Sequence, residues 1–350
     1  MKKDNALAVL VLVLAIAAVV YWRPSLKITT SSLVKNSTET ISSLEFRNLD
    51  TTKQTEIIKS LAENNPGQAW RFLKESFMID GQAVGNAHGF AHIIGNKSYE
   101  KSGLEGIKIC DDTFAFGCFH GVTEAMLLKQ GVKKVKLIQD GCLKLFPPEL
   151  SQDYTGCIHG TGHGLYGWED GNLNKALGDC DALDEMYRQY CYDGVFMENS
   201  SAPENRVFKP EDPWKLCSIL DERYHRNCAR YQSQIFLGSS RAANSIKTAG
   251  KYCSMGPSAI LKETCYESLG YYVAQGALGD STKIGDSCSQ ILEKDGVEIC
   301  IRGGAIETVF QRYSGFAVTS VALCRKLSEP RSSACLSNVN NMMHQNVVKK

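Results

Sequence analysis

Fourteen cysteines fall along the chain in seven successive pairs: Cys110/Cys118, Cys142/Cys157, Cys180/Cys191, Cys217/Cys228, Cys253/Cys265, Cys288/Cys300 and Cys324/Cys335. First members are spaced 32, 38, 37, 36, 35 and 36 residues apart, and second members 39, 34, 37, 37, 35 and 35. A drifting period near 36 residues is the length of a two-helix repeat, not of a propeller blade or a leucine-rich turn. The expected fold is therefore all-α, an α-solenoid of about eight disulfide-stapled helical hairpins.

Single units read accordingly. Asp212-Pro213 opens a helix through Trp214, Leu216 and Leu220, and Asp221-Glu222 makes the turn. A second helix runs from about Tyr224 to Phe236 and stops at Gly238. The next unit repeats this over Ile246–Cys253 and Ala259–Ala274, before Gly276 and Gly279. The first cysteine then closes helix A and the second opens helix B. They face each other across the hairpin mouth, where Cα atoms come within the roughly 5.5–6 Å that a disulfide needs. Pairing within the repeat leaves no cysteine over. A rival pairing, Cys118 with Cys142 and Cys157 with Cys180 onward, joins the same end of the stack but strands Cys110 and Cys335.

In period, hairpins and stapling, residues 100–346 resemble the cysteine-rich relatives of tetratricopeptide repeat proteins, although the W-x₂-L-G-x₂-Y signature is absent. The resemblance is one of architecture. It implies a solenoid with a concave groove that holds a protein, peptide or glycan, and nothing about chemistry.

Cysteines in even number, with no C-x-x-C and no C-x-x-C-H, point to disulfides in an oxidising compartment rather than to zinc ribbons, thioredoxin motifs or haem attachment. The first residues agree. Residues 1–5 read as a cytoplasmic tail, and 6–22 as an apolar transmembrane signal anchor. A Ser/Thr-rich stalk follows over 23–50, then an extracytoplasmic repeat domain over 51–346. Tyr21 and Trp22 suit the outer interface and Arg23-Pro24 stops the helix. Cleavage as a signal peptide at Ala15-Ile16-Ala17 is the alternative. The expected location is membrane-anchored, with the main domain at a cell surface, in a periplasm or in a lumen. A net charge of +1 argues against nucleic acid as a partner.

Aligning the units on their second cysteine exposes a polar column. Two residues on stand His120, His159, Asp193, Arg230, Glu267 and Arg302; six on stand Glu124, His163, Met197, Gln234 and Tyr271. An upstream unit without cysteine aligns by pattern, placing His88 and His92 in the same two columns. Positions two and six share one helix face, and in a solenoid such faces line up along the groove. Five of the seven histidines lie here, as His88-x₃-His92, His120-x₃-Glu124 and His159-x₃-His163. Paired donors at i and i+4 are how a helix presents two ligands to one metal. The expectation is one transition-metal site of His88, His92, His120, Glu124, His159 and His163, with zinc, iron, copper or manganese as candidate ions. Glycine stands three residues on in Gly89, Gly121, Gly160, Gly194 and Gly303. Because mid-helix glycine costs about 1 kcal/mol against alanine, it implies close backbone approach or room for a ligand.

Other chemistry finds little support. Gly160-Thr161-Gly162-His163-Gly164 lacks a preceding strand and a Walker lysine, and there is no G-x-S-x-G or H-E-x-x-H. If the metal site is catalytic, a metal-dependent hydrolase or oxidase with Glu124 as general base is the expected class. The competing account is a metal-free scaffold. Its histidines form a hydrogen-bonded ladder, and Arg230, Glu267, Arg302 and the nearby tyrosines of the later repeats bind a peptide or glycan. Glu198 and Glu307 follow the columns; Asp111 and Asp112 read as helix-start residues, and His225 and His344 as solvated. Trp70, Phe72, Leu73 and Phe77 read as the core face of an N-terminal capping helix.

Overall fold

A computed structural model describes residues 41–347, apart from 80–81, 86, 147–150, 203–204, 206–207 and 240–244. The expected tail and anchor, and most of the expected stalk, lie outside the described residues. Among those residues no helix is long and apolar enough to cross a membrane.

The chain is helical. An N-terminal group comprises α1 (Ser43–Arg47), α2 (Thr51–Asn64) and α3 (Pro66–Phe77). Asp50 caps α2 by accepting from Lys53 N; Asn65 accepts from Gln68 N and Pro66 takes the first position of α3, where no amide proton is missed. Trp70, Phe72, Leu73 and Phe77 are buried as expected. Phe46 is fully enclosed and packs its ring against Phe72, Phe77 and Phe90, so residues placed in the stalk belong to the folded body. Among the described residues the strand content is one short antiparallel pair, Met78–Ile79 against Gln82–Ala83.

Long and short helices then alternate. In order they are α4 (His88–Ser102), α5 (Gly117–Gln130), α6 (Val135–Leu145), α7 (Ser151–Trp168), α8 (Leu173–Cys180) and α9 (Glu185–Ser201). After them come α10 (Lys215–Ser218), α11 (His225–Ser239), α12 (Ser245–Ser254) and α13 (Ala259–Gly276). The last four are α14 (Ser281–Cys288), α15 (Lys294–Phe310), α16 (Phe316–Cys324) and α17 (Arg331–Val347). The long helices α4, α5, α7, α9, α11, α13, α15 and α17 pack in succession, each on the next. The short ones lie in the angles between them. Asn172, Ser258 and Asp280 each cap a following helix through their side-chain oxygen, as their residue types favour.

All seven cysteine pairs are joined within their own repeat, with Cα separations of 5.4 to 5.9 Å. The rival pairing does not occur. The helix expected through Trp214–Leu220 shrinks to the four residues of α10. A turn bridging Lys209 and Asp212 precedes it.

Close approach of backbones is the recurring packing device. A Cβ on Gly121 would lie 2.1 Å from His92 O, and one on Gly95 2.1 Å from Cys118 O. The same reciprocal contact joins α7 and α9, where Gly194 meets His159 O at 2.0 Å and Gly162 meets Cys191 O at 2.0 Å. It recurs between α13 and α15, with Gly303 against Glu267 O and Gly270 against Cys300 O, both at 2.0 Å. Gly160 is also close-packed, though less tightly: a Cβ there would lie 2.7 Å from Thr123 Oγ1 and 3.1 Å from His120 Cα. Gly89 has nothing near it, so the packing argument holds for four of the five aligned glycines and fails there.

These contacts also correct the upstream alignment. His92, not His88, meets its neighbour's glycine as His159 and Glu267 do. The unit is slipped by one helical turn, which pattern alone cannot detect because a four-residue shift returns to the same face.

Candidate metal centre

The five aligned histidines come together where α4, α5 and α7 stack. His88 and His92 rise from α4, His120 from α5, and His159 and His163 from α7. Their rings form one cluster: His92 lies 5.1 Å from His120 between centroids, and His120 lies 5.1 Å from His159 and stacks on His163 at 4.0 Å. His120 is fully buried and His163 is 5% exposed. Around His120 and His163 the column is therefore a packed seam between helices, while its later members Asp193, Arg230, Glu267 and Tyr271 line an open pocket. Another open pocket, lined by Lys59, His92, Asn96, Lys97 and Glu124, reaches one edge of the seam.

The cluster divides into two groups of donors, His88/His92/His120 and His120/His159/His163. Within each, one nitrogen per residue lies within 4.8 Å of the others. Glu124 belongs to neither group. Its Oε2 stands 3.5 Å from His92 Nδ1.

The outer ring nitrogens all face acceptors. His88 Nδ1 donates to the carbonyl of Phe114 at 2.7 Å. His159 Nδ1 lies 3.4 Å from Asp193 Oδ2, and His163 Nδ1 lies 3.1 Å from Glu198 Oε1. Carbonyl and carboxylate oxygens cannot donate, so a neutral ring in any of these four places carries its proton on Nδ1 and a lone pair on Nε2. The Nε2 atoms then face one another, 3.0 Å apart for His88 and His92 and 3.0 Å apart for His159 and His163. His120 Nδ1 lies 3.3 Å from His92 Nε2, while its Nε2 is buried without a partner.

Burial, reinforced by neighbouring His92, holds His88 down at about 4, and burial holds His163 at about 3 against the pull of Glu198. His120 is driven far below the usual imidazole value by burial and by the four histidines around it. These three rings are neutral near pH 7. Burial raises the Asp193 carboxyl, yet Arg230, His159 and Tyr231 together hold it well below the carboxylate range, so it stays a charged acceptor. The His163 contact likewise keeps Glu198 low.

The Phe114 carbonyl is a feature with no sequence signal. Phe114, Ala115 and Phe116 are all left-handed, with φ of 55°, 51° and 61°, a conformation costly for residues with a Cβ. The Cys110–Cys118 bridge encloses this segment and aims the carbonyl at His88. Asp193 was visible only as a column member and Glu198 only as a residue following one; their contacts with the rings come from α9 packing on α7.

Elsewhere the column carries ion pairs. Arg230 Nη1 bonds Asp193 at 3.3 Å, and Arg302 bonds Glu267 and Glu263 at 3.1 Å each. Glu307 is buried and accepts from Gln275 and Gln311. Asp111 accepts from Lys74 and Thr113, and Asp112 pairs with Arg312. His225 is half-buried against the Leu220 carbonyl rather than solvated, whereas His344 is exposed.

The chain matches no family model, and no curated protein or solved structure shows significant similarity to it. The all-helical fold, the seven disulfides of an oxidising, extracytoplasmic compartment, and two histidine groups able to hold a metal rest on the chain's own residues.

Proposed function

We propose that this is an extracytoplasmic α-solenoid that binds transition-metal ions at His88, His92, His120, His159 and His163. The observation that carries the reading is the pair of 3.0 Å contacts between Nε2 atoms of rings whose Nδ1 atoms each face an oxygen. Two lone pairs at that distance repel unless a cation lies between them. A shared proton would require an imidazolium inside a desolvated cluster, and a metal supplies the charge instead. Donors around an ion with bonds of 2.0–2.1 Å are about 2.9 Å apart in octahedral and about 3.3 Å apart in tetrahedral geometry, close to the spacings in this cluster. The oxygens behind His92, His159 and His163 supply the carboxylate–histidine–metal arrangement that fixes ring orientation and raises basicity. Glu124 is assigned to orienting His92 rather than to proton transfer. Imidazoles without thiolate suit zinc, copper, iron or manganese.

The test is metal analysis of the full-length chain, without a polyhistidine tag, after separate reconstitution with each of these ions and removal of excess. Stoichiometric retention of at least one of them is expected, lost in His92→Ala/His163→Ala. Less than about 0.2 ion per chain with every metal, against the tight binding typical of such sites, would leave a histidine ladder that registers the helices as the better account.

A further inference from the structure

Resting on the metal reading, we propose that His120 bridges two ions, one in each histidine group, through its two ring nitrogens. His120 is the residue common to both donor groups. Its Nδ1 already stands beside the first, 3.3 Å from His92 Nε2. Its Nε2 is the one cluster nitrogen that is buried and unpartnered among the described residues. The other four rings are each tied at Nδ1 to an oxygen and have one nitrogen left to give. His120 has no such oxygen, so both of its nitrogens remain for ligation.

Packing agrees. Gly160 lies against the His120 ring, where a Cβ would stand 3.2 Å from Cδ2, the carbon next to Nε2. Any larger residue there would crowd the ring from the α7 side. Each group also has its own outer carboxylate, Glu124 behind the first and Glu198 and Asp193 behind the second. That is the outer shell of two separate sites, not of one six-donor site.

The balance is simple. Neutral His120 carries one N–H; when the second ion binds, that proton leaves to solvent and the ring becomes an imidazolate with one lone pair toward each ion. Imidazole nitrogens about 2.2 Å apart, each with a bond of 2.0–2.1 Å, hold the ions about 6 Å from one another. The second group needs His120 and His163, now stacked, to tilt toward a common point.

Copper(II) is a suitable probe because it binds imidazole most strongly among the divalent candidates and reports coupling through its unpaired electron. The full-length chain is titrated with copper(II) and followed by metal analysis and electron paramagnetic resonance. The first equivalent should give a full mononuclear signal, and the second should raise bound copper to two per chain, one for each group, while the integrated signal falls. In His159→Ala, with folding checked by circular dichroism, one copper per chain with undiminished signal is expected. Saturation at one ion, or two ions with the full spin count, overturns the bridge and leaves metal binding standing. No bound copper or other candidate metal overturns both.

Discussion

Replacing Gly194 by alanine tests whether the glycine contacts set the spacing of the helices that carry the site. A Cβ at this position would lie 2.0 Å from His159 O and 3.1 Å from both His159 C and His163 N. All three are backbone atoms, which cannot swing aside. Clearing the carbonyl requires α7 and α9 to part by roughly 1 Å, in an interior packed at crystal density. A gap of that order forfeits about a quarter to a half of each dispersion contact along the seam. Overpacking of this kind costs about 1–3 kcal/mol, and a rigid backbone clash belongs at the upper end. Alanine returns up to about 1 kcal/mol of helix propensity. The net expectation is a loss of about 2 kcal/mol, or roughly 4–8 °C in the thermal midpoint. Gly178 in α8 provides the control, since a Cβ there meets nothing within 4 Å, and its alanine variant should be as stable as the parent or gain up to about 1 kcal/mol. Both variants are compared by thermal melting with disulfides intact. Gly194→Ala melting at or above Gly178→Ala would refute the argument. The parting should also draw Asp193 and Glu198 away from their histidines, so metal affinity falls in the same variant.

Three further outcomes are expected. Glu198→Gln, which leaves the shape of the site intact but removes the charge behind His163, should weaken metal binding about 10- to 100-fold in a competition titration. Cys180→Ser/Cys191→Ser opens a bridge of sequence separation 11 and should cost about 2.5–3 kcal/mol in the chain-entropy treatment, measured by denaturant unfolding; an unchanged midpoint would count against the staple. At Asp111, burial raises the carboxyl but hydrogen bonds from Lys74 and Thr113 prevail, leaving its pKa below 3.8. A lowered carboxylate stabilises the fold fully above its unfolded value and loses that contribution as pH falls through the folded one. Asp111→Asn should therefore cost no more than about 1 kcal/mol at pH 7 and converge with the parent in acid.

The period of the cysteines made the repeat legible because each staple must recur at the same place in its hairpin. For the same reason the histidines could be put on one seam: residues at equivalent positions of stacked units are neighbours, as His120 and His159 are. What the sequence withheld was set by contacts between units. Whether six donors meet at one point or two depends on how α4, α5 and α7 cross, and the one-turn slip of α4 is invisible to a pattern that repeats every turn. Glu198 serves His163 although Glu124 occupies the aligned column, since the carboxylate that reaches a ring is chosen by the neighbouring helix and not by its own unit. The Phe114 carbonyl was beyond reach altogether, because a main-chain acceptor in a left-handed segment has no residue type to announce it.

The cross-links have a consequence for how the protein is made. Every bridge joins cysteines consecutive in sequence, 8 to 15 residues apart, and none ties distant parts of the chain together. Short loops close fastest, within about 10–100 ns for ten residues. As the chain enters an oxidising compartment from its N-terminal end, each new cysteine meets its correct mate as the nearest one still unpaired. The order of emergence thereby selects the pairing, and completed hairpins leave no free thiol behind to attack the next. A chain so arranged can be oxidised during its export, one unit at a time, with little demand for disulfide reshuffling afterwards.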